Sequence, residues 1–308
     1  MKPFTIGYND QNQRLDKFMK KVMPSATPGT VYQSLRKKKV RLNGKRVTDG
    51  SLRLSEGDRL ELYINDEFFG KSSTPPLWQN LTPRLSVVYE DAHILIMNKP
   101  AGMLSQSETE ESLETHMRAY LYRKGDFDPS REHTFLPSLC HRIDRNTNGL
   151  VIGAKDAESL RILNQKIRDK EIAKFYLCQT EGTPKPEAGE LSGWLKKNEA
   201  RQKMEPADKD SPGAIFYQTR YRVLRPGAVA LVEAELLTGR THQIRAGFAS
   251  LGCPLVGDVK YGAKQASNRF QHLTAYRLVF AFTTDAGCIN DLNGKEFILE
   301  KEQLPCCN

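Results

Sequence analysis

No window of this sequence approaches the roughly 20 consecutive apolar residues needed to cross a bilayer. The opening MKPFTIGYND also lacks the apolar stretch of a secretory leader. A soluble, cytoplasmic protein with no membrane association is the expectation. Cysteine is sparse: Cys140, Cys178, Cys253 and Cys288 are far apart, and only Cys306 and Cys307 are neighbours. That usage fits reduced thiols better than a disulfide scaffold. There is no CxxC pair and no Cys/His spacing of a zinc knuckle, so no metal is expected. Internal repeats are absent as well, which excludes solenoid architectures.

The chain does have enough apolar residues for a core, 39% over 308 residues, with an ordinary 27% charged. Its length suits one small module plus one large domain. The net charge is +9 and unevenly placed: residues 1–65 hold 14 Lys+Arg against 6 Asp+Glu, hence +8, leaving +1 for residues 66–308. A basic attachment of this kind binds polyanions, because neutralising phosphates releases counterions. The plainer reading is a solvated basic face kept for solubility.

Within that module, Leu15, Phe18, Met19 and Val22 recur at helical spacing, with Lys17, Lys20 and Lys21 between them. A second helix is predicted after Thr27-Pro28, a capping residue followed by proline at the first helical position. The cations Arg36, Lys37, Lys38 and Lys39 crowd its C-terminal end, where the helix dipole favours them. Val40 to Val47 then reads as a hairpin around Asn43-Gly44, and Arg59 to Ile64 as a closing strand. In this order RLDKF, the basic helix, VRLNGKRV and GDRLEL resemble the S-four-type RNA-binding domain. The resemblance implies that Arg36, Lys37, Lys38, Arg41 and Lys45 grip structured RNA.

Residues 66–83, with Gly, Ser and Pro and no periodicity, read as a linker. From residue 84 to 308 the pattern is α+β with mainly antiparallel strands: LSVVYE and HILIMN, a helix from Glu110 to Arg123, and a strand from Leu150 to Ala154. A helix capped by Asp156 follows to about Arg168. Further strands span Ala173 to Thr180, Ile215 to Leu224 and Ala228 to Leu236, with a short helix near His242 to Ser250.

The segment carrying most chemical information is His141 to Leu150, HRIDRNTNGL. An acid between two arginines in a polar turn either presents Asp144 where RNA phosphates dock on Arg142 and Arg145, or forms a buried ion pair. It is similar to the HRxDxxTxGL signature of RluA-type RNA pseudouridine synthases. Asn98-Lys99-Pro100-Ala101-Gly102 upstream and Thr238 to Arg245, TGRTHQIR, downstream resemble the same family in the same order, as do Gly257-Asp258 and Tyr261-Gly262. That resemblance implies an isomerase needing no cofactor, with Asp144 the catalytic carboxylate and Arg240 pairing with it. It further implies a catalytic Tyr176 against the target base, where it stacks or assists proton removal, and Arg142 holding the extruded nucleotide. Ile244 and Leu150 would form an apolar floor. Three positions depart from the pattern: MLSQSETE follows the NKPAG element, Ala246-Gly247 follows Arg245, and Leu273-Thr274-Ala275 replaces a Leu-His-Ala element.

The leading expectation is therefore an RNA pseudouridine synthase acting on structured RNA, with ribosomal RNA first and transfer RNA as the alternative. A non-catalytic RNA-binding or ribosome-assembly factor is the competing class. No protein partner is inferred.

Overall fold

The computed structural model describes residues 1–70, 76–264 and 270–300. Cys306 and Cys307 lie outside the described residues.

The N-terminal module runs β1 (Lys2–Thr5), α1 (Leu15–Val22), α2 (Pro28–Arg36), β2 (Val40–Leu42), β3 (Lys45–Arg46) and β4 (Arg59–Leu62). Its sheet has the order β1-β4-β2-β3. The helical spacing read in the sequence becomes burial: Leu15, Phe18 and Met19 are sealed in the core while Lys17, Lys20 and Lys21 stay outside. Thr27 caps α2 by accepting from the Thr30 N–H at 3.2 Å. Asn43 and Gly44 both have positive φ, 50° and 77°, as a two-residue hairpin turn requires. The strand β1 has no clear signal in the sequence; Pro3 fits there because β1 is an edge strand.

The segment 66–83 holds structure that its composition concealed. A 3-10 turn at Asp66–Phe69 puts Phe69 into the N-terminal core. Then α3 (Leu77–Asn80) buries Trp78 with its ring centroid 5.6 Å from Tyr122 and 5.7 Å from Phe127.

The second domain continues with β5 (Val87–Glu90), β6 (Ile94–Lys99), α4 (Leu113–Lys124), β7 (Ser138–Leu139), β8 (Asn148–Ala154) and α5 (Ala157–Arg168). After these come β9 (Ile172–Glu181), β10 (Ala188–Asn198), β11 (Lys203–Pro206), β12 (Ile215–Arg225), β13 (Val229–Leu236), α6 (Gln243–Ser250), β14 (Leu273–Phe280) and β15 (Glu296–Ile298). One sheet joins these strands in the order β11-β10-β12-β13-β9-β14-β8-β6-β5, with β15 on β14 and β7 on β8. The pairing is antiparallel except between β14 and β8.

Alternation sorts the central strands onto two cores. Leu95, Met97, Val151, Tyr176 and Cys178 face one side, and Ile94, Ile96, Leu150, Ile152 and Leu177 the other. Burial on both faces explains why HILIMN and LVIGA read as continuous apolar runs. Gly149 is required where β8 meets β14: its φ is 124°, and a Cβ there would lie 2.2 Å from the Ala275 carbonyl oxygen.

The module is seated directly on the second domain. Asn9 donates to Glu132 at 2.7 Å, Gln13 to Thr134 at 2.9 Å and Thr134 to Asp10 at 2.6 Å. Tyr8 donates to Glu158 at 2.6 Å, and the His133 ring stands edge-on to Phe4 at 5.3 Å.

Candidate active site

A cleft of about 690 Å³ opens where the loop before β8, the first half of β9 and the N-terminal end of α6 converge. Asp144, Tyr176, Arg142, Arg145, Arg240, His242, Ile244 and Arg245 all line it.

Asp144 sits on a loop held from beneath by the Asn98-to-Gly102 segment. Lys99 is fully buried, and its Nζ donates to the carbonyls of Pro100, Met103 and Arg145 at 2.9, 2.8 and 2.9 Å. Burial pushes this ammonium down to about 7, with the Asp144 charge opposing. The Gly102 N–H donates to the Arg145 carbonyl at 2.9 Å, and Arg145 Nε returns a bond to the Gly102 carbonyl at 3.0 Å. Ser105 Oγ donates to the Ile143 carbonyl at 2.7 Å and accepts from its N–H at 3.2 Å. The Thr147 N–H closes the turn onto the Asp144 carbonyl at 3.0 Å. Two motifs nearly fifty residues apart in sequence thus form one clasp around the Asp144 backbone.

Arg245, on α6, supplies the cation at the carboxylate. Its Nη1 donates to Asp144 Oδ2 at 3.1 Å, while Nε and Nη2 hold Asp258 at 2.7 and 2.9 Å. Burial works against the Arg245 charge, but the hydrogen bonds and attraction of Asp258 and Asp144 outweigh it and hold its pKa above the ordinary value. Among the described residues Asp144 Oδ1 accepts no hydrogen bond, so that oxygen is left to the cleft.

The pairing expected of Arg240 is therefore made by Arg245. Arg240 precedes α6 and is exposed; its Nε donates to the Phe216 carbonyl at 3.0 Å. A signal for Arg245 is present in the motif itself: TGRTHQIR carries a second arginine five residues after Arg240. Gln243, which the sequence does not single out, fixes the turn. Its amide donates to the Gln218 carbonyl and Thr219 Oγ1 at 2.8 and 2.7 Å, and its oxygen accepts from Thr238 Oγ1 and the Arg240 N–H at 2.7 and 3.0 Å.

Tyr176 is buried on β9, and burial together with the Asp144 charge pushes its phenol up. Ile244 lines the cleft, but Leu150 packs in the core on the opposite face of the sheet and is no part of the floor. The reason is the two-residue period: Leu150 and Val151 point to opposite sides. His141 turns inward, its Nε2 accepting from the Ile152 N–H at 3.2 Å, and burial beside Lys174 pushes it down to about 3. Arg142 is exposed at the rim.

On the N-terminal module Arg36, Lys37, Lys38 and Lys45 are exposed, while Arg41 is half-buried over the Tyr63 ring at 5.2 Å. None of the five lines the cleft. His93, Asp156 and Cys288 form the one His/Cys/carboxylate group within ligating distance among the described residues, a grouping that sequence spacing does not reveal. None of the three lines the cleft, and Asp156 is already committed to His93 at 2.8 Å and to the Ser159 N–H at 2.7 Å. No helix among the described residues is long and apolar enough to cross a membrane.

Residues 93–250 match the family model for RNA pseudouridylate synthase, and residues 13–60 match the S4 domain. A Mycoplasma capricolum protein called an uncharacterized RNA pseudouridine synthase is 30% identical over 91% of this chain and 92% of its own length. The ribosomal large subunit pseudouridine synthase C of Rickettsia typhi is 30% identical over 93% and 92%. Among solved structures, human RNA Pseudouridylate Synthase Domain Containing 1 covers 76% of this chain and 89% of its own, with a TM-score of 0.56 and 22% identity, a likeness of fold. With the three motifs gathered around one cleft and the family model spanning half the sequence, this chain belongs to the RNA pseudouridylate synthase family, of RluA type, and carries an S4 domain ahead of its catalytic domain.

Proposed function

We propose that this enzyme isomerises uridines of ribosomal RNA in the cytoplasm, with Asp144 as the carboxylate that attacks the sugar or supports departure of N1. The observation that carries the chemistry is the state of Asp144: one oxygen tied to Arg245 at 3.1 Å, the other free toward a cleft of about 690 Å³. A cleft of that size admits a single nucleotide, so the target leaves its helical stack to reach the carboxylate. Arg142, exposed and lining the cleft, would hold the extruded nucleotide, and Tyr176, also in the lining, would lie against the base. No step needs an external group, because the reaction conserves every atom of the nucleoside.

The choice of ribosomal RNA is supported by the relative from Rickettsia typhi, whose name states a large-subunit target. The basic S4 domain supports recognition of structured RNA. Pseudouridine mapping of total RNA from strains with and without the gene tests the substrate. A site lost from ribosomal RNA is the expected result, and a site lost only from transfer RNA would redirect the assignment. Asp144→Asn tests the chemistry: it should keep fold and RNA affinity and abolish turnover. Wild-type turnover would remove Asp144 from the mechanism, and a variant strain with an unchanged map would favour a non-catalytic role.

A further inference from the structure

The long strands β10 and β12 have one face that the core uses and one that it does not. Leu191, Leu195, Tyr217 and Tyr221 are buried in the core of the catalytic domain. The two-residue period puts Ser192, Trp194 and Lys196 of β10 on the other face, beside Phe216, Gln218 and Arg220 of β12. All six are exposed or half-buried.

Two of the six are large aromatic side chains. Trp194 and Phe216 are direct cross-strand partners, with ring centroids 5.6 Å apart and planes at 63°. Phe216 is 40% exposed, whereas the chain's other tryptophan, Trp78, is 4% exposed in the core. A lone exposed ring needs no explanation. A pair of them set among cations and joined to the mouth of the active site does.

The surroundings of the pair are basic. Lys196 follows Trp194 on the same strand face, and its cross-strand partner Glu205 is shared by Lys203 at 3.3 Å and Arg201 at 3.5 Å. On the other side Arg240 donates its Nε to the Phe216 carbonyl at 3.0 Å. Neither Lys196 nor Arg240 makes an ion pair among the described residues, so four cations here face one carboxylate. Further along the face the polar groups answer one another: Gln218 donates to Glu190 at 2.9 Å, and Arg220 to Glu235 at 2.8 Å. The excess of positive charge is confined to the aromatic end.

Arg240 connects this patch to the cleft. It lines the cleft with Thr238, Gly239 and Thr241, while Trp194 and Phe216 lie outside the lining. A strand leaving the cleft past Arg240 therefore passes onto the aromatic pair.

We infer that Trp194 and Phe216 form a stacking platform for an unpaired base of the RNA strand that supplies the extruded uridine, with Arg240 and Lys196 holding its phosphates. The identity of that strand rests on the isomerase reading above. Extruding a uridine takes stacking away from its neighbours, and a flanking base that stacks on the protein recovers it. Every base has a π-face, so the platform adds affinity and orientation without choosing sequence. A second copy of this chain, meeting the patch with its own, would set cation against cation. A polyanion brings the complementary charge.

The test uses the full chain and ribosomal RNA prepared from a strain lacking the gene. Trp194→Leu and Phe216→Leu keep an apolar contact between the strands and remove the π-face. Each should raise the RNA concentration for half-saturation by roughly 5- to 150-fold, with the saturated single-turnover rate within a few-fold of the wild type. Trp194→Phe keeps a ring and should bind within a few-fold of the wild type. RNA should quench the wild-type tryptophan emission, and the quenching should vanish in Trp194→Phe, where Trp78 alone reports. Wild-type half-saturation in both leucine variants would overturn the inference, as would quenching that survives in Trp194→Phe. A lower Tm and saturated rate at unchanged half-saturation would make the pair a clamp between strands and defeat it too. So would an RNA-free dimer, seen by sedimentation, that the leucine variants dissolve. Affinity and quenching are also measured in the Asp144→Asn background, where no turnover is needed. If the wild type forms no pseudouridine in this RNA, the substrate reading fails, while the platform is judged on binding alone.

Discussion

Arg245 Nη1 stands 3.1 Å from Asp144 Oδ2 across 101 residues of sequence, and the same guanidinium is locked on Asp258 at 2.7 and 2.9 Å. The second contact gives the first its meaning. A planar fork fixed on one carboxylate cannot swing, so it holds one oxygen of Asp144 in a defined direction and leaves the other to the substrate.

Replacing Arg245 with lysine should therefore cost more than the conservation of charge implies. A single ammonium cannot hold Asp258 through two nitrogens while reaching Asp144. The rate at saturating RNA should fall about 10²-fold, the usual loss for one preorganised electrostatic contact. Arg240→Gln should instead raise the RNA concentration needed for half-saturation and leave the saturated rate within a few-fold. Steady-state kinetics on both variants check this, and the reverse pattern would restore Arg240 as the partner of Asp144.

Lys99→Met should destabilise the catalytic domain, because the Pro100 and Met103 carbonyls lose their Lys99 donor at once and the Arg145 carbonyl keeps only the Gly102 N–H. Leaving even one buried acceptor unpaired costs about 1–3 kcal/mol, or roughly 2–4 °C in Tm per kcal/mol for a domain of this size. Thermal unfolding measures it. An unchanged Tm would mean that water replaces the ammonium without loss.

Neutralising Arg36, Lys37 and Lys38 together to glutamine is a cleaner probe of the S4 domain than deleting it. Deletion would also remove the hydrogen bonds of Asn9, Asp10 and Gln13 to the catalytic domain. Affinity should weaken, and the slope of log affinity against log salt should flatten by about 0.7–0.9 for each phosphate that is no longer neutralised. The saturated rate should not change, since none of the three lines the cleft. Binding isotherms at several salt concentrations decide it; an unaltered slope would make these residues a solubility face.

Exhaustive treatment with EDTA should leave activity on prefolded RNA intact. The single grouping of ligand-type side chains among the described residues, His93, Asp156 and Cys288, contributes nothing to the cleft lining. Activity lost to the chelator and restored by zinc would contradict this.

Local chemistry makes much of the fold legible. Thr27-Pro28 announces α2, Asn43-Gly44 the hairpin, and Asp156 the start of α5, because caps and tight turns are set by the residues that form them. The short helix at Trp78 is not legible, since its stability comes from Tyr122 and Phe127, more than forty residues away in sequence. The strands β10 and β14 are also hidden, the first carrying glycine and lysine pairs that weaken its apolar alternation.

For the site, the motifs reveal which residue types are present: the acid in HRIDR, the tyrosine in KFY, and two arginines in TGRTHQIR. Which arginine meets Asp144, that Leu150 faces away from the cleft, and that His242 stands 3.9 Å from the carboxylate follow from the folded chain alone. The difference is one of range. Helix caps, turns and amphipathic periods depend on neighbours a few residues apart, whereas an ion pair between residues 144 and 245 depends on the register of β8 against β14 and on how the turn pinned by Gln243 aims α6.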